Sequence, residues 1–208
     1  GKVKEILTMQ KNDRVFIGRV LVEKGSITNE VLERELALFR DDQNKYADEE
    51  IRLPAELKRP DIIKGAVEIT RRMLKRIASM DAKVDDIFIS KKEPMIGYGA
   101  VTVRLTGSFP FEYNLLTSPG VAREIASGIL GKTFADESPE MVIDAVREFC
   151  NICCGNIVAR MAQKGHSLAI SPPEMMVHRG GKYKPVRGRD AVYCPLFTTH
   201  GDVTLILI

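Results

Sequence analysis

From Pro139 to Lys164 the chain reads as one long helix with two unlike faces, and this stretch constrains the fold more than any other. Ser138 and Pro139 supply a capping side chain and a first-turn proline, and Gly165 supplies the stop. Each residue turns the helix by about 100°. With Glu148 set at zero, Asp144, Asn151, Gly155, Ala159 and Ala162 fall within about 60° of it. Ile143, Val146, Cys150, Cys153, Ile157 and Met161 lie on the opposite side. The apolar stripe has to be covered by the rest of the chain. The other stripe pairs a carboxylate with a carboxamide at i and i+3, then turns bare at Gly155 and two alanines. Small residues beside polar ones let a second protein surface approach closely, although a Glu and an Asn on a helix face are most often merely solvated.

The remaining pattern says what covers the helix. Val101, Val103 and Leu105 alternate with polar residues, Gly107-Ser108 offers a turn, and Phe111, Tyr113 and Leu115 resume the alternation, which predicts a hairpin. Ser118-Pro119 opens a further helix through Val121, Ile125, Ile129 and Leu130, ended by Gly131. After Gly165, short strands are expected at 167–171, 175–177, 191–198 and 203–208, the last two joined at His200-Gly201-Asp202. Strands grouped beside helices indicate an α+β fold with antiparallel strands.

Upstream, Phe16, Ile17, Val20 and Leu21 suggest a helix ended by Gly25. Thr28 caps a second helix, with Ile27 and Leu32 as a hydrophobic staple and Leu36 and Phe39 continuing the row. Residues 40–58 read as a charged connector. Pro60 then starts a long helix with the apolar row Ile63, Val67, Thr70, Leu74, Ile77. Arg71, Arg72, Lys75 and Arg76 lie largely off that row, as a solvated face or as a docking patch. The switch from helical to alternating period places a boundary near Val84, giving a helical module over 1–84 and an α+β domain over 85–208.

Composition narrows the classes of function. The 208 residues are 44% hydrophobic and 28% charged, so a packed core is expected rather than disorder. A net charge of +3 is too small a bias to point to nucleic acid. No apolar run approaches the roughly 18 residues of a membrane span, and Gly1-Lys-Val-Lys-Glu lacks the apolar core of a secretion signal, so a cytoplasmic location without membrane insertion is expected. Crowding of Cys150, Cys153 and Cys154 suits a reducing compartment. Metal binding by these thiols is not expected, because Cys150 and Cys153 fall on the core stripe and Cys154 at its edge, where free cysteine behaves as a small hydrophobe. His166, His178 and His200 show no ligand spacing, and Gly180-Gly181-Lys182 reads as a flexible hairpin tip rather than a phosphate loop.

The run Asp144-Ala-Val-Arg-Glu148-Phe-Cys-Asn151-Ile-Cys-Cys-Gly155-Asn156 resembles the signature of the CheC/CheX phosphatase family of bacterial chemotaxis: an acidic or Ser residue, Glu four later, Asn three after that. The resemblance covers about 85–208 and includes Ile129-Leu130-Gly131, the Leu168-Ala-Ile170-Ser-Pro172-Pro173 segment and the closing Phe197-Thr-Thr-His-Gly201 hairpin, with Pro173 in place of the proline the family carries a little over twenty residues after the Asn. One motif copy is similar to the CheX-type members; CheC-type members usually carry two. The resemblance implies a phosphatase that hydrolyses the aspartyl phosphate of a response-regulator receiver. It implies catalysis by Glu148 and Asn151, partner contacts from Asp144, Gly155 and Asn156, Mg²⁺ carried by the receiver, no cofactor of the protein's own, and homodimerisation through the sheets. The competing implications are a non-catalytic receiver-binding adaptor or a flagellar-switch-like structural protein. Separately, Ile17-Gly18-Arg-Val-Leu-Val-Glu-Lys-Gly25-Ser-Ile27-Thr-Asn-Glu-Val-Leu32 is similar to the helical amino-terminal domain of type II secretion and pilus ATPases, some of which bind cyclic di-GMP through an Arg where this chain has Phe16. A docking or packing module is expected there.

Overall fold

The computed structural model describes residues 22, 25–35, 37, 51–131, 138–177 and 181–208. The chain divides into two compact units, Gly1–Glu50 and Ile51–Ile208. In the first, Gly25 takes a left-handed φ of 69° and its N–H donates to the Val22 carbonyl at 2.9 Å, as a helix-ending glycine does. Thr28 Oγ1 then accepts from the Val31 N–H at 3.3 Å, so Thr28 is the cap of the helix that follows. Of the expected first helix only Val22 is among the described residues, and it is helical; Phe16, Leu36 and Phe39 lie outside them.

The second unit starts at Ile51, well ahead of the boundary suggested near Val84. The cause is helix α1 (Pro60–Ala78), whose Ile63, Val67 and Leu74 are buried in the same core as the strands that follow. Thr70, also buried, donates to the Ala66 carbonyl (2.8 Å) and shares a 2.9 Å hydrogen bond with the Tyr113 hydroxyl. The change of period marks a change of element, and this helix folds with the strands.

After α1 come β1 (Lys83–Val84), β2 (Phe88–Ser90), β3 (Gly99–Gly107), β4 (Phe111–Thr117), α2 (Pro119–Leu130), α3 (Pro139–Gln163), β5 (Leu168–Ile170), β6 (Glu174–Val177), a 3-10 turn (Lys184–Val186), β7 (Ala191–Thr198) and β8 (Gly201–Leu207). The strands form one antiparallel sheet in the order β1-β7-β8-β4-β3-β5, with β2 also on β7 and β6 also on β3. The fold is α+β, as the grouping of strands and helices indicates. The β3–β4 hairpin pairs Val103 with Tyr113 and Leu105 with Phe111. β5 pairs with the Leu105–Gly107 end of β3 and β6 with the Gly99–Thr102 end, so the two make one interrupted edge strand. The interruption contains Pro172 and Pro173, which have no N–H to continue a ladder.

Strand alternation sorts the two faces of the sheet. Val101, Val103, Leu105, Tyr113, Leu115, Val203 and Leu205 join the core with the three helices. Ala100, Leu116, Tyr193 and Ile206 form a smaller cluster on the opposite face, covered by Tyr183 and Val186 of the 3-10 segment. That face also holds a satisfied polar group: the Tyr183 hydroxyl donates to Asn114 Oδ1 (2.6 Å), Thr102 Oγ1 donates to the same oxygen (2.9 Å), and Asn114 Nδ2 donates to the Ile206 carbonyl (3.1 Å). The cationic row of α1 is partly internal. Arg71 is buried and its Nε donates to the Ala82 carbonyl at 2.8 Å, and Lys75 pairs with Asp81. The chain leaving α1 thus draws those two cations onto itself.

Candidate functional site

Helix α3 carries the site, and its start is built as expected. Ser138 Oγ accepts from the Met141 N–H at 3.4 Å, Pro139 occupies the first turn, and Glu140 is held below the usual carboxylate range by hydrogen bonds from its own backbone N–H and from Ser138. Val146, Cys150, Cys153, Ile157 and Met161 are all buried to 1% exposure or less, while Ile143 is half-buried. The opposite stripe is open: Asp144, Glu148, Gly155, Ala159 and Ala162 are exposed and Asn151 is half-buried. A β-carbon added at Gly155 would meet nothing within 4 Å, so the surface beside Asn151 is bare.

Within that stripe Asn151 Nδ2 points towards Glu148 Oε2 at 3.4 Å, a long contact that leaves both groups able to take other partners. Asp144 pairs with Arg147 NH1 at 3.3 Å. Asp144, Glu148, Asn151 and Gly155 are therefore brought together on one face. Asn156 is exposed but stands about 80° round the helix from Glu148. Its Nδ2 donates to the Ile152 carbonyl at 2.8 Å. Sequence reasoning missed Arg147, whose Nε donates to the Pro173 carbonyl at 3.1 Å and so joins α3 to the break between β5 and β6. No local signal announces that bond, because its acceptor is a backbone atom far along the chain.

Glu148 is exposed and Asn151 half-buried on one helix face. A pocket of about 540 Å³ does exist where the start of α1 meets β4, β2 and β8, lined by Leu57, Ile62, Ile89, Phe109, Phe111 and Leu207 among others. None of the five predicted site residues lines it. The stripe thus suits a macromolecular partner that brings its own reacting group.

The four buried thiols keep their protons because of where they sit. Burial pushes Cys153 and Cys194 up to about 12 and raises Cys150 and Cys154 as well. Among the described residues no group of three or more His, Cys, Asp or Glu side chains is placed to hold a metal ion. His166 meets Phe109 edge-on, His200 lies 3.7 Å from Glu124, and His178 is outside the described residues. The raised thiols predict a pH dependence of stability. Unfolded thiols titrate near 9, so above that pH the unfolded chain loses protons that the folded chain retains. The thiol contribution is full below pH 9 and falls as pH rises towards 12, by up to about 1.4 kcal/mol per pH unit per thiol. Urea unfolding at pH 8 and pH 10.5 checks this; equal stability at both would contradict it.

Comparison with known proteins decides what kind of domain presents this face. Residues 100–197 match the sequence model of the family described as chemotaxis phosphatase CheX. The fold around that span is CheX-like. The CheX-like fold recurs in the chemotaxis protein CheX of Desulfovibrio desulfuricans, at a TM-score of 0.63 and 21% identity over 71% of this chain and 98% of that one. It recurs in CheX of Borrelia burgdorferi, solved as a complex with CheY, BeF3 and Mg²⁺, at 0.55 and 21% over 71% and 96%. Thermotoga maritima FliY shares it at 0.54 and 17% over 74% and 90%. A search of curated protein sequences returned no match. No helix among the described residues is long and apolar enough to cross a membrane.

Proposed function

We propose that this chain hydrolyses the aspartyl phosphate of a response-regulator receiver in chemotaxis or related two-component signalling. The observation that carries the reading is the Glu148/Asn151 pair, one turn apart on an exposed and otherwise bare helix face of a CheX-like domain. Hydrolysis of an acyl phosphate needs a water in line with the leaving carboxylate, and beyond placement and charge stabilisation phosphoryl transfer leaves a protein little to do. A carboxamide suits that water, because it accepts one hydrogen bond and donates another without charge and without competing as a nucleophile. Asn151 takes this role. Glu148 pairs with the receiver's Lys and sets the docking register, while Asp144, Gly155 and Asn156 border the contact.

In this reading the receiver brings the phosphoryl group and its Mg²⁺, and the protein brings no cofactor of its own. The Borrelia burgdorferi CheX complex, which contains CheY, BeF3 and Mg²⁺, supports a partner of that kind. The reading also includes a cytoplasmic location and a homodimer, the latter tested by sedimentation. If Glu148 meets a receiver Lys, Glu148→Lys places two cations together, and binding of a beryllofluoride-loaded receiver should weaken by about tenfold or more. Calorimetric titration checks this; unchanged affinity would remove Glu148 from the contact. A second reading, a non-catalytic adaptor or flagellar-switch-like component, draws on the fold shared with FliY. It keeps the docking stripe but has no need of the carboxamide.

A further inference from the structure

The break between β5 and β6 lies against the site helix, and its two ends and its middle are held differently. At one end Ser171 is fixed to β3 twice: its N–H donates to the Arg104 carbonyl (2.8 Å) and its Oγ accepts from the Arg104 N–H (3.0 Å). At the other end Glu174 pairs with the Arg104 guanidinium at 2.6 Å. The middle, Pro172-Pro173, has no N–H with which to join a strand, and its Pro173 carbonyl is taken by Arg147 Nε of α3 at 3.1 Å. Arg147 stands one turn before Asn151 and three residues after Asp144, which accepts from its NH1. At about 100° per residue, Arg147 lies about 40° from Asn151 on the side away from Glu148. The guanidinium fork thus spans the flank of the stripe nearest the carboxamide, one arm on the stripe and one on the loop.

We propose that Arg147 is a positioning residue that clamps the Ser171–Pro173 loop against α3, making the loop a fixed wall beside Asn151 against which the receiver docks. This rests on the receiver-docking reading above. Arg147 acts through the loop and does not touch the reacting atoms. Releasing it frees the diproline from α3 and so loosens the flanking amides of β5 and β6 on β3.

Two variants, Arg147→Ala and Arg147→Gln, test the clamp on the full chain. Amide hydrogen exchange followed by mass spectrometry should show the segment 168–177 exchanging about tenfold faster in both, with the α3 core unchanged, as expected for loss of a local tether. Titration with a beryllofluoride-loaded receiver of the CheY type should show affinity weakened by about tenfold, and kcat at saturating phosphorylated receiver should stay within about threefold. Unchanged exchange in 168–177 overturns the clamp. Unchanged affinity overturns the docking wall, and a fall in kcat at constant KM places Arg147 in the chemistry instead. If the wild-type protein releases no phosphate, the phosphatase reading fails while exchange and affinity still decide this proposal.

Discussion

Asn151→Ala is expected to lower the rate of receiver dephosphorylation by roughly a hundredfold, the size of effect that follows when a reacting group loses its placement. Binding of a beryllofluoride-loaded receiver should change by less than about threefold, because the docking contacts on α3 survive. The structure explains why the two effects separate. Asn151 is half-buried on the open stripe and approaches Glu148 only at a long 3.4 Å, so truncating it leaves Glu148, Asp144 and the helix in place. The buried stripe of Cys150, Cys153 and Ile157 that fixes α3 is untouched. Stopped-flow phosphate release and calorimetry on the same preparation measure both quantities. Full activity in the variant would end the catalytic reading and leave the adaptor standing.

Gly128→Ala is expected to destabilise the second unit by about 3 kcal/mol, lowering the melting temperature by roughly 10 °C. Gly128 lies in α2, where a β-carbon would run into the Ile77 carbonyl oxygen at the end of α1. The obstacle is backbone on both sides, so no side chain can swing away. The helices would have to separate, opening the core that Ile125 shares with Leu74. Gly155→Ala serves as the control: a β-carbon there meets only solvent, and alanine favours the helix. A thermal melt of Gly128→Ala matching wild type would show that α1 and α2 are not held this closely.

Elements whose signal is local were legible in the sequence. The two faces of α3 follow from spacing alone, and the β3–β4 hairpin and the β7–β8 pair follow from alternation bounded by Gly107 and Gly201. Thr28 and Ser138 cap where a hydroxyl precedes an apolar-periodic run. What escaped depends on partners distant in the chain. β1 and β2 contribute two and three residues and exist because β7 pairs with both. Arg71 reads as a surface cation until the Ala82 carbonyl is seen beside it. Asn114 alternates correctly within β4, yet nothing local shows that Tyr183 and Thr102 will satisfy it.

The site divides in the same way. Glu148, Asn151, Asp144 and Gly155 share a face because helical geometry compels it, whereas the Arg147 link to Pro173 depends on where the broken edge strand falls. Asn156 marks the limit of motif reasoning, since the residue beside Gly155 in sequence is a quarter turn away in space.

Phosphate release from a panel of phosphorylated receiver domains in Mg²⁺, with and without the protein, tests whether this open stripe carries catalysis on a phosphorylated partner. Substoichiometric protein should accelerate release from at least one receiver by about tenfold or more, and Asn151→Ala should abolish most of the acceleration. Unaccelerated release from every receiver, including one whose beryllofluoride form binds the protein, would contradict it.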